Sequence, residues 1–166
     1  MKRSGFKRKL TKPLKRTPIR VKGKEEVSTI KEDIQALLRQ IVMLRDGGCI
    51  LRDKGKQSCN GYAKDGHLIL QADHLISRGN NATYGDSRLV VCLCKGHHGW
   101  KSVGSNLRKQ EYDELVKTIL PKERVALWER CEEERQRFST GGKYDWKLIR
   151  LGLEKELEHY KELVSI

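Results

Sequence analysis

Between Ala72 and Lys101 the chain reads ADHLISRGNNATYGDSRLVVCLCKGHHGWK, gathering an Asp-His pair, two cysteines one residue apart and a His-His pair. Carboxylate, thiolate and imidazole are the donors that bind metals, and an imidazole beside a bound cation can take a proton from water. The chemistry this points to is metal-assisted hydrolysis. Cys94 and His97 form a C-x-x-H knuckle, and Cys49 and Cys59, with nine residues between them, flank a loop containing Gly55. Four such ligands suit a structural zinc, which prefers a tetrahedron of Cys and His. The first spacing is longer than the usual two to four residues, so Cys49 and Cys59 could also be two unrelated thiols. Cys92 competes as a ligand but, inside VVCL, reads as a small buried apolar residue, as does Cys131 in a helical stretch.

Asp73, His74 and His98 are not needed for that zinc. Phosphodiester hydrolysis requires a base for water and a cation to take up charge on phosphorus and on the departing oxygen. His74 can be the base, with Asp73 and His98 holding Mg²⁺ or Mn²⁺. Two protein ligands leave coordination positions for water and a phosphate oxygen. The alternative for His74 is a core histidine. Arg78, Arg88 and Lys101 are near enough in sequence to contact a phosphate, and equally could be surface charge.

These groups need a scaffold. His67 to Asp73 and Arg88 to Cys94 are short apolar runs separated by a Gly- and Asn-rich loop, which predicts a two-stranded antiparallel ribbon with a helix following His98. Upstream, Val27, Ile30, Ile34, Leu37, Leu38, Ile41, Val42 and Leu44 fall at helical spacing, and Gly47-Gly48 ends the helix. Cys49 to Gly66 is rich in Gly and short polar residues, as expected of a looped finger held by metal. Glu111–Leu120, Pro121–Phe138 and Tyr144–Val164 read as three more helices, with Pro121 in a first turn and Gly141-Gly142 as a break. Trp128, Trp146, Tyr112, Tyr144 and Tyr160 in these flanks read as packing residues. Leu148, Leu151, Leu157 and Leu163 form a stripe that serves an intramolecular core, with a homodimer as the other use.

The chain has 166 residues, 37% hydrophobic and 34% charged, with a formal net charge of +13, which suits one domain and a polyanionic partner. The first 24 residues hold eleven Lys or Arg and no acid, leaving 24 basic against 22 acidic residues in the rest. That segment is too polar to fold alone and is expected to be a mobile tail, either a phosphate-backbone clamp or a solubilising extension. Residues 25–166 are then one domain, its core at about 49–105 with helical flanks at 25–47 and 108–164. No apolar run reaches the roughly 18 residues of a membrane span, MKRSGFKRKL lacks a secretory apolar stretch, and five cysteines beside histidines suit a reducing compartment. A cytoplasmic location without membrane contact is the expectation.

Asp73-His74, the loop RGNNATYGDSRLV and the ending CLCKGHHGWK resemble the HNH endonucleases, the ββα-metal or His-Me finger group, in their zinc-stabilised form. The resemblance covers about residues 49 to 102. It implies an α+β fold in which a small zinc-stabilised ββα-metal core is flanked by several α-helices. It also implies that His74 activates water, that Asp73 and His98 bind the catalytic cation, and that a catalytic Asn lies in the connecting ribbon. Where the family pattern places that Asn, this chain has Arg88-Leu89; Asn81, with Asn80 as the alternative, stands in from the loop, and Asp86 is an extra ligand or a loop brace. The implied activity is DNA hydrolysis leaving 5′-phosphate and 3′-hydroxyl ends. The basic tail and helical flanks are also similar, more loosely, to phage-encoded recombination nucleases of the NinG and Rap type, which implies branched DNA as a substrate and a bacterial host cytosol as the location. Two other readings keep the same residues: a zinc-finger nucleic-acid-binding protein without catalysis, and a nuclease acting on RNA.

Overall fold

Helix α1, Lys22–Asp46, ends where Gly47 adopts φ 64° and donates its N–H to the Met43 carbonyl at 3.2 Å. A side chain at such a φ would be strained, so glycine is what lets the chain leave the helix here. In the computed structural model the described residues are 22–52, 58–102, 106–135 and 144–165, with the side chains of 22–25, 100–102, 106–108 and 135 excepted. The basic segment at 1–21 and the Gly141-Gly142 break lie outside them. Lys22 to Lys24, read from sequence as the end of the tail, are already helical.

The architecture is α+β, with five described helices and one antiparallel ribbon. Strand β1, Leu70–His74, pairs with β2, Val90–Cys94, placing Leu70 opposite Cys94 and His74 opposite Val90. Both strands are shorter than their apolar runs. The residues before Leu70 belong to the finger, where Tyr62 bridges Leu68, and Ser87–Leu89 form a 3₁₀ turn capped by the Asp86 side chain on Arg88 N–H. Helix α2, Lys95–Ser102, starts immediately after β2 rather than after His98, so both histidines sit in its first turns. Helices α3, Asn106–Ile119, α4, Lys122–Arg135, and α5, Trp146–Val164, follow.

Every residue of β2 is buried because the ribbon is covered on both faces. Side chains alternate across a strand, so Val90 and Cys92 meet one set of helices while Val91 and Leu93 meet the other. On the first face Ile34, Leu38, Ile41 and Val42 of α1 pack with Leu153 and Leu157 of α5. On the second, Val91 and Leu93 join Tyr112 and Val116 of α3, Leu120, and Trp128 of α4. Of the α5 leucine stripe Leu157 is buried, whereas Leu148, Leu151 and Leu163 are exposed; the buried face is set by Leu153 and Leu157.

A two-stranded ribbon leaves one edge of each strand unpaired, and such edges invite further pairing. Here the outer edge of β2 is closed by the ends of helices. Cys92 N–H donates to Asp46 Oδ2 at 2.9 Å, Ile50 N–H donates to the Cys92 carbonyl at 3.0 Å, and Arg45 and Arg124 both donate to the Val90 carbonyl. This stitching delivers Cys49 to the ribbon. No described helix is long and apolar enough to cross a membrane.

Candidate metal centre and adjoining pocket

Four chain segments converge on the first site. Cys49 follows α1, Cys59 lies in the finger, Cys94 ends β2, and His97 stands in the first turn of α2. The finger returns along the start of α2 through Ile69 N–H to the Gly61 carbonyl and Lys95 N–H to the Ile69 carbonyl. Gly61, at φ 87°, lies so close that a Cβ would meet Lys95 Cβ at 2.6 Å. Only glycine permits that approach. The candidate ligand atoms all fall within 4.8 Å of one another, and His97 is 1% exposed.

His97 Nδ1 stands 3.1 Å from Cys94 Sγ, 3.4 Å from Cys49 Sγ and 3.8 Å from Cys59 Sγ. A tetrahedral zinc with Zn–S of about 2.3 Å and Zn–N of about 2.0 Å separates sulfur from nitrogen by about 3.5 Å, so these distances bracket the requirement. The chemistry of the donors fits as well. Burial pushes the Cys59 thiol up to about 12, reinforced by the neighbouring Cys49 and Cys94 sulfurs, and burial likewise raises Cys49. Cys94 is opposed by burial but drawn down to about 7 by backbone N–H groups of His97 and Asn60. A divalent cation displaces the protons of such thiols into solvent and offsets the repulsion between the resulting thiolates. The Cys₃His group can hold a metal such as zinc in a structural role.

Cys92 is fully buried with its thiol pushed up to about 12 by burial, then by Asp46, which suits an inert core residue. Cys131 is partly buried and outside the group.

Residues 97 and 98 are about 100° apart around a helix. His98 therefore faces away from the Cys₃His group, and its Nε2 lies 3.6 Å from Asp73 Oδ1. Asp73 is buried on the α3 face of the ribbon, where Tyr112 donates its hydroxyl to Oδ2 at 2.6 Å. Burial, with Asp73 beside it, holds the Tyr112 phenol well above its usual range, so it remains a donor. The other carboxylate oxygen is the one turned toward His98. A separation of 3.6 Å is too long for a direct hydrogen bond.

His74, the next residue of β1, alternates to the opposite face, where Gln35 Nε2 of α1 stands 3.5 Å from its Nε2 and the Tyr84 ring is 6.2 Å away. Being at the strand end, it still reaches the pocket that Asp73 opens into. That cavity, about 230 Å³, is lined by Ala72, Asp73, His74, Ser77, Arg78 and His98. Arg78 is exposed there. Among the described residues the Cys₃His set is the one cluster of three or more metal-type ligands, and Asp73 and His98 stand outside it.

The remaining candidates lie apart from this pocket. Asn81 is not in its lining; its Oδ1 accepts from Lys31 Nζ at 3.1 Å. Asn80 braces the loop, its side chain accepting from Ala82 N–H. Asp86 also braces the loop, binding Arg88 through Nε at 2.9 Å and Nη2 at 2.8 Å. Arg88 accordingly lines a different cavity, about 570 Å³, against Leu148, Ile149 and Leu153 of α5. Lys101 is in α2, with its side chain outside the described set.

Sequence reasoning did not find Tyr112, Gln35 or Lys31 at this site. Tyr112 carried the signature of an ordinary core aromatic, and it is one on every side except its hydroxyl. Lys31 and Gln35, one turn apart, border the apolar stripe of α1, and nothing local marks which loop such a border will meet. Family models, curated proteins and solved structures compared with the chain give no match.

Proposed function

We propose that this chain is a metal-dependent endonuclease of the HNH type, hydrolysing phosphodiester bonds of DNA, with a ββα-metal core made by β1, β2 and α2. The observation that carries the reading is the convergence of Asp73 and His98, 3.6 Å apart, in a pocket that His74 also lines. The pocket is open to solvent and has basic Arg78 at its rim, as a phosphate-receiving site requires.

Asp73 and His98 would hold Mg²⁺ or Mn²⁺, which supplies Lewis-acid stabilisation of charge on the phosphoryl and leaving oxygens. Tyr112 fixes the carboxylate plane of Asp73 by holding one oxygen, so the other keeps a constant orientation toward the pocket. His74 takes the proton from the attacking water, and Gln35 abuts its ring. Arg78 draws in the phosphate. The 3′ oxygen departs and takes a proton from solvent water, giving 5′-phosphate and 3′-hydroxyl ends. Duplex or branched DNA is the proposed substrate, the branched form in line with the resemblance to recombination nucleases, and the basic N-terminal segment would add sequence-independent affinity.

One observation favours a second reading, a zinc-stabilised DNA-binding protein without catalysis: Asn81 is engaged by Lys31 instead of lining the pocket. Cleavage of supercoiled plasmid decides between them. Wild-type protein is expected to nick it in Mg²⁺ or Mn²⁺ and not in EDTA. His74→Ala is expected to lower the rate about 10²- to 10⁴-fold while retaining zinc and DNA binding. Undiminished cleavage by His74→Ala removes the catalytic assignment, and no cleavage by wild type on duplex, branched DNA or RNA favours the binding protein.

A further inference from the structure

Two cations, and the acid Glu32, lie around Tyr84. Arg78 lies at the pocket, near enough to Tyr84 to act on its hydroxyl, and Lys31 is half-buried on α1. Lys109, Lys117, Lys147 and Lys161 each pair with a carboxylate, whereas Lys31 has no such partner among the described residues. Its ammonium instead donates to Asn81 Oδ1 at 3.1 Å and lies 4.2 Å from the Trp146 ring centroid and 5.1 Å from that of Tyr84. Tyr84 closes the arrangement by donating its hydroxyl to the Lys31 carbonyl at 3.3 Å.

An amide oxygen and two ring faces hold an ammonium in place without cancelling its charge. One of its three hydrogens serves Asn81, and two remain to donate. A lysine on a helix surface is ordinarily free to sweep through many rotamers, and that freedom is lost when it binds an anion. Here folding has already restricted it. The position also matters: Tyr84 is shared between Lys31 and the His74 ring, and Gln35, the next turn of α1, touches His74. Lys31 is thus linked to the pocket through Tyr84 and Gln35, both neighbours of His74.

We propose that Lys31 is a phosphate-binding residue, seating the DNA backbone phosphate that adjoins the one in the Asp73/His74/His98 pocket and making α1 a wall of the nucleic-acid track. This rests on the reading of that pocket as a phosphodiester site. The assignment gives Asn81 a role too: it positions Lys31.

The test is equilibrium binding of a short fluorescent DNA duplex to the full-length His74→Ala chain, zinc-loaded, across a KCl series, with and without a change at Lys31. Lys31→Met is expected to weaken binding equally for every duplex sequence and to lower the salt-dependence slope by about 1, since each phosphate contact releases roughly one counterion. Lys31→Gln, which keeps a donor for Asn81, is expected to give the same loss and decides the matter should Lys31→Met lower the melting temperature. Lys31→Arg is expected to restore the slope. An unchanged slope with Lys31→Gln overturns the proposal while leaving the nuclease reading standing. Failure of the His74→Ala parent to bind either duplex or branched DNA overturns both.

Discussion

His97 and His98 are adjacent in sequence and lie in opposite surroundings. His97 is sealed among three sulfurs and is 1% exposed, while the His98 side chain is 36% exposed and faces one buried carboxylate across a small cavity. The first arrangement is closed, with four protein ligands and no place for substrate. The second is an Asp–His pair beside open space. A closed tetrahedral set stabilises a fold, and an incomplete one leaves positions at which chemistry can occur. The helix that carries both histidines turns this difference into a lever, because whatever orders His97 also aims His98.

The largest effect should come from opening the closed site. Cys94→Ser is expected to abolish zinc retention and, with it, the order of the finger from Ser58 to Ile69 and of the start of α2. Structural zinc in small domains contributes about 10–16 kcal/mol of binding free energy, more than one core contact can replace. Metal analysis together with thermal melting checks this, and a zinc-free Cys94→Ser chain melting like wild type would mean that hydrophobic packing alone holds the finger.

A smaller effect is expected at the incomplete site. Tyr112→Phe removes one hydroxyl, leaving Asp73 Oδ2 buried without that donor at a cost of about 1–3 kcal/mol. Affinity for Mn²⁺ should fall about 10- to 100-fold, as for other residues that orient a metal ligand, while zinc content is unchanged. Mn²⁺ titration followed by electron paramagnetic resonance reads this directly. Equal Mn²⁺ affinity in the two proteins would show that Tyr112 is only a core residue.

The smallest effect is a count of protons. Zinc binds thiolates, so protons compete with it and its affinity must fall as pH is lowered. At about pH 8 Cys94, at about 7, is already mostly ionised, whereas Cys59, at about 12, and the raised Cys49 are not, so zinc uptake should release about two protons. Towards about pH 6 Cys94 is protonated as well and the release rises to about three, making affinity steeper in pH there. Calorimetry in buffers of different ionisation enthalpy measures the number. A release near zero at both pH values would show that the thiols are not the ligands.

Much of this was legible in the chain because the cues were local. The periodicity of Ile34, Leu38 and Ile41 and the Gly47-Gly48 stop define α1, and the C-x-x-H knuckle located two of the four zinc-type ligands. The nine residues between Cys49 and Cys59 blurred the other two, since that spacing becomes a pair only when Ile50 is stitched to Cys92 and the finger folds back on Lys95. Strand ends differ from the apolar runs where side-chain chemistry overrides them: the Asp86 cap turns Ser87–Leu89 into a 3₁₀ segment. The partners of the pocket were least visible. Tyr112 is 39 residues from Asp73 and Gln35 is 39 from His74, so only the two-sided covering of the ribbon brings them there.

The central claim is that neighbouring histidines serve separate sites, and one paired measurement addresses it. Zinc content and Mg²⁺-dependent plasmid cleavage are compared for His97→Ala and His98→Ala. His97→Ala is expected to lose zinc and stability. His98→Ala is expected to keep its zinc and melting temperature and lose cleavage. Loss of zinc from His98→Ala, or wild-type cleavage by it, would contradict the account.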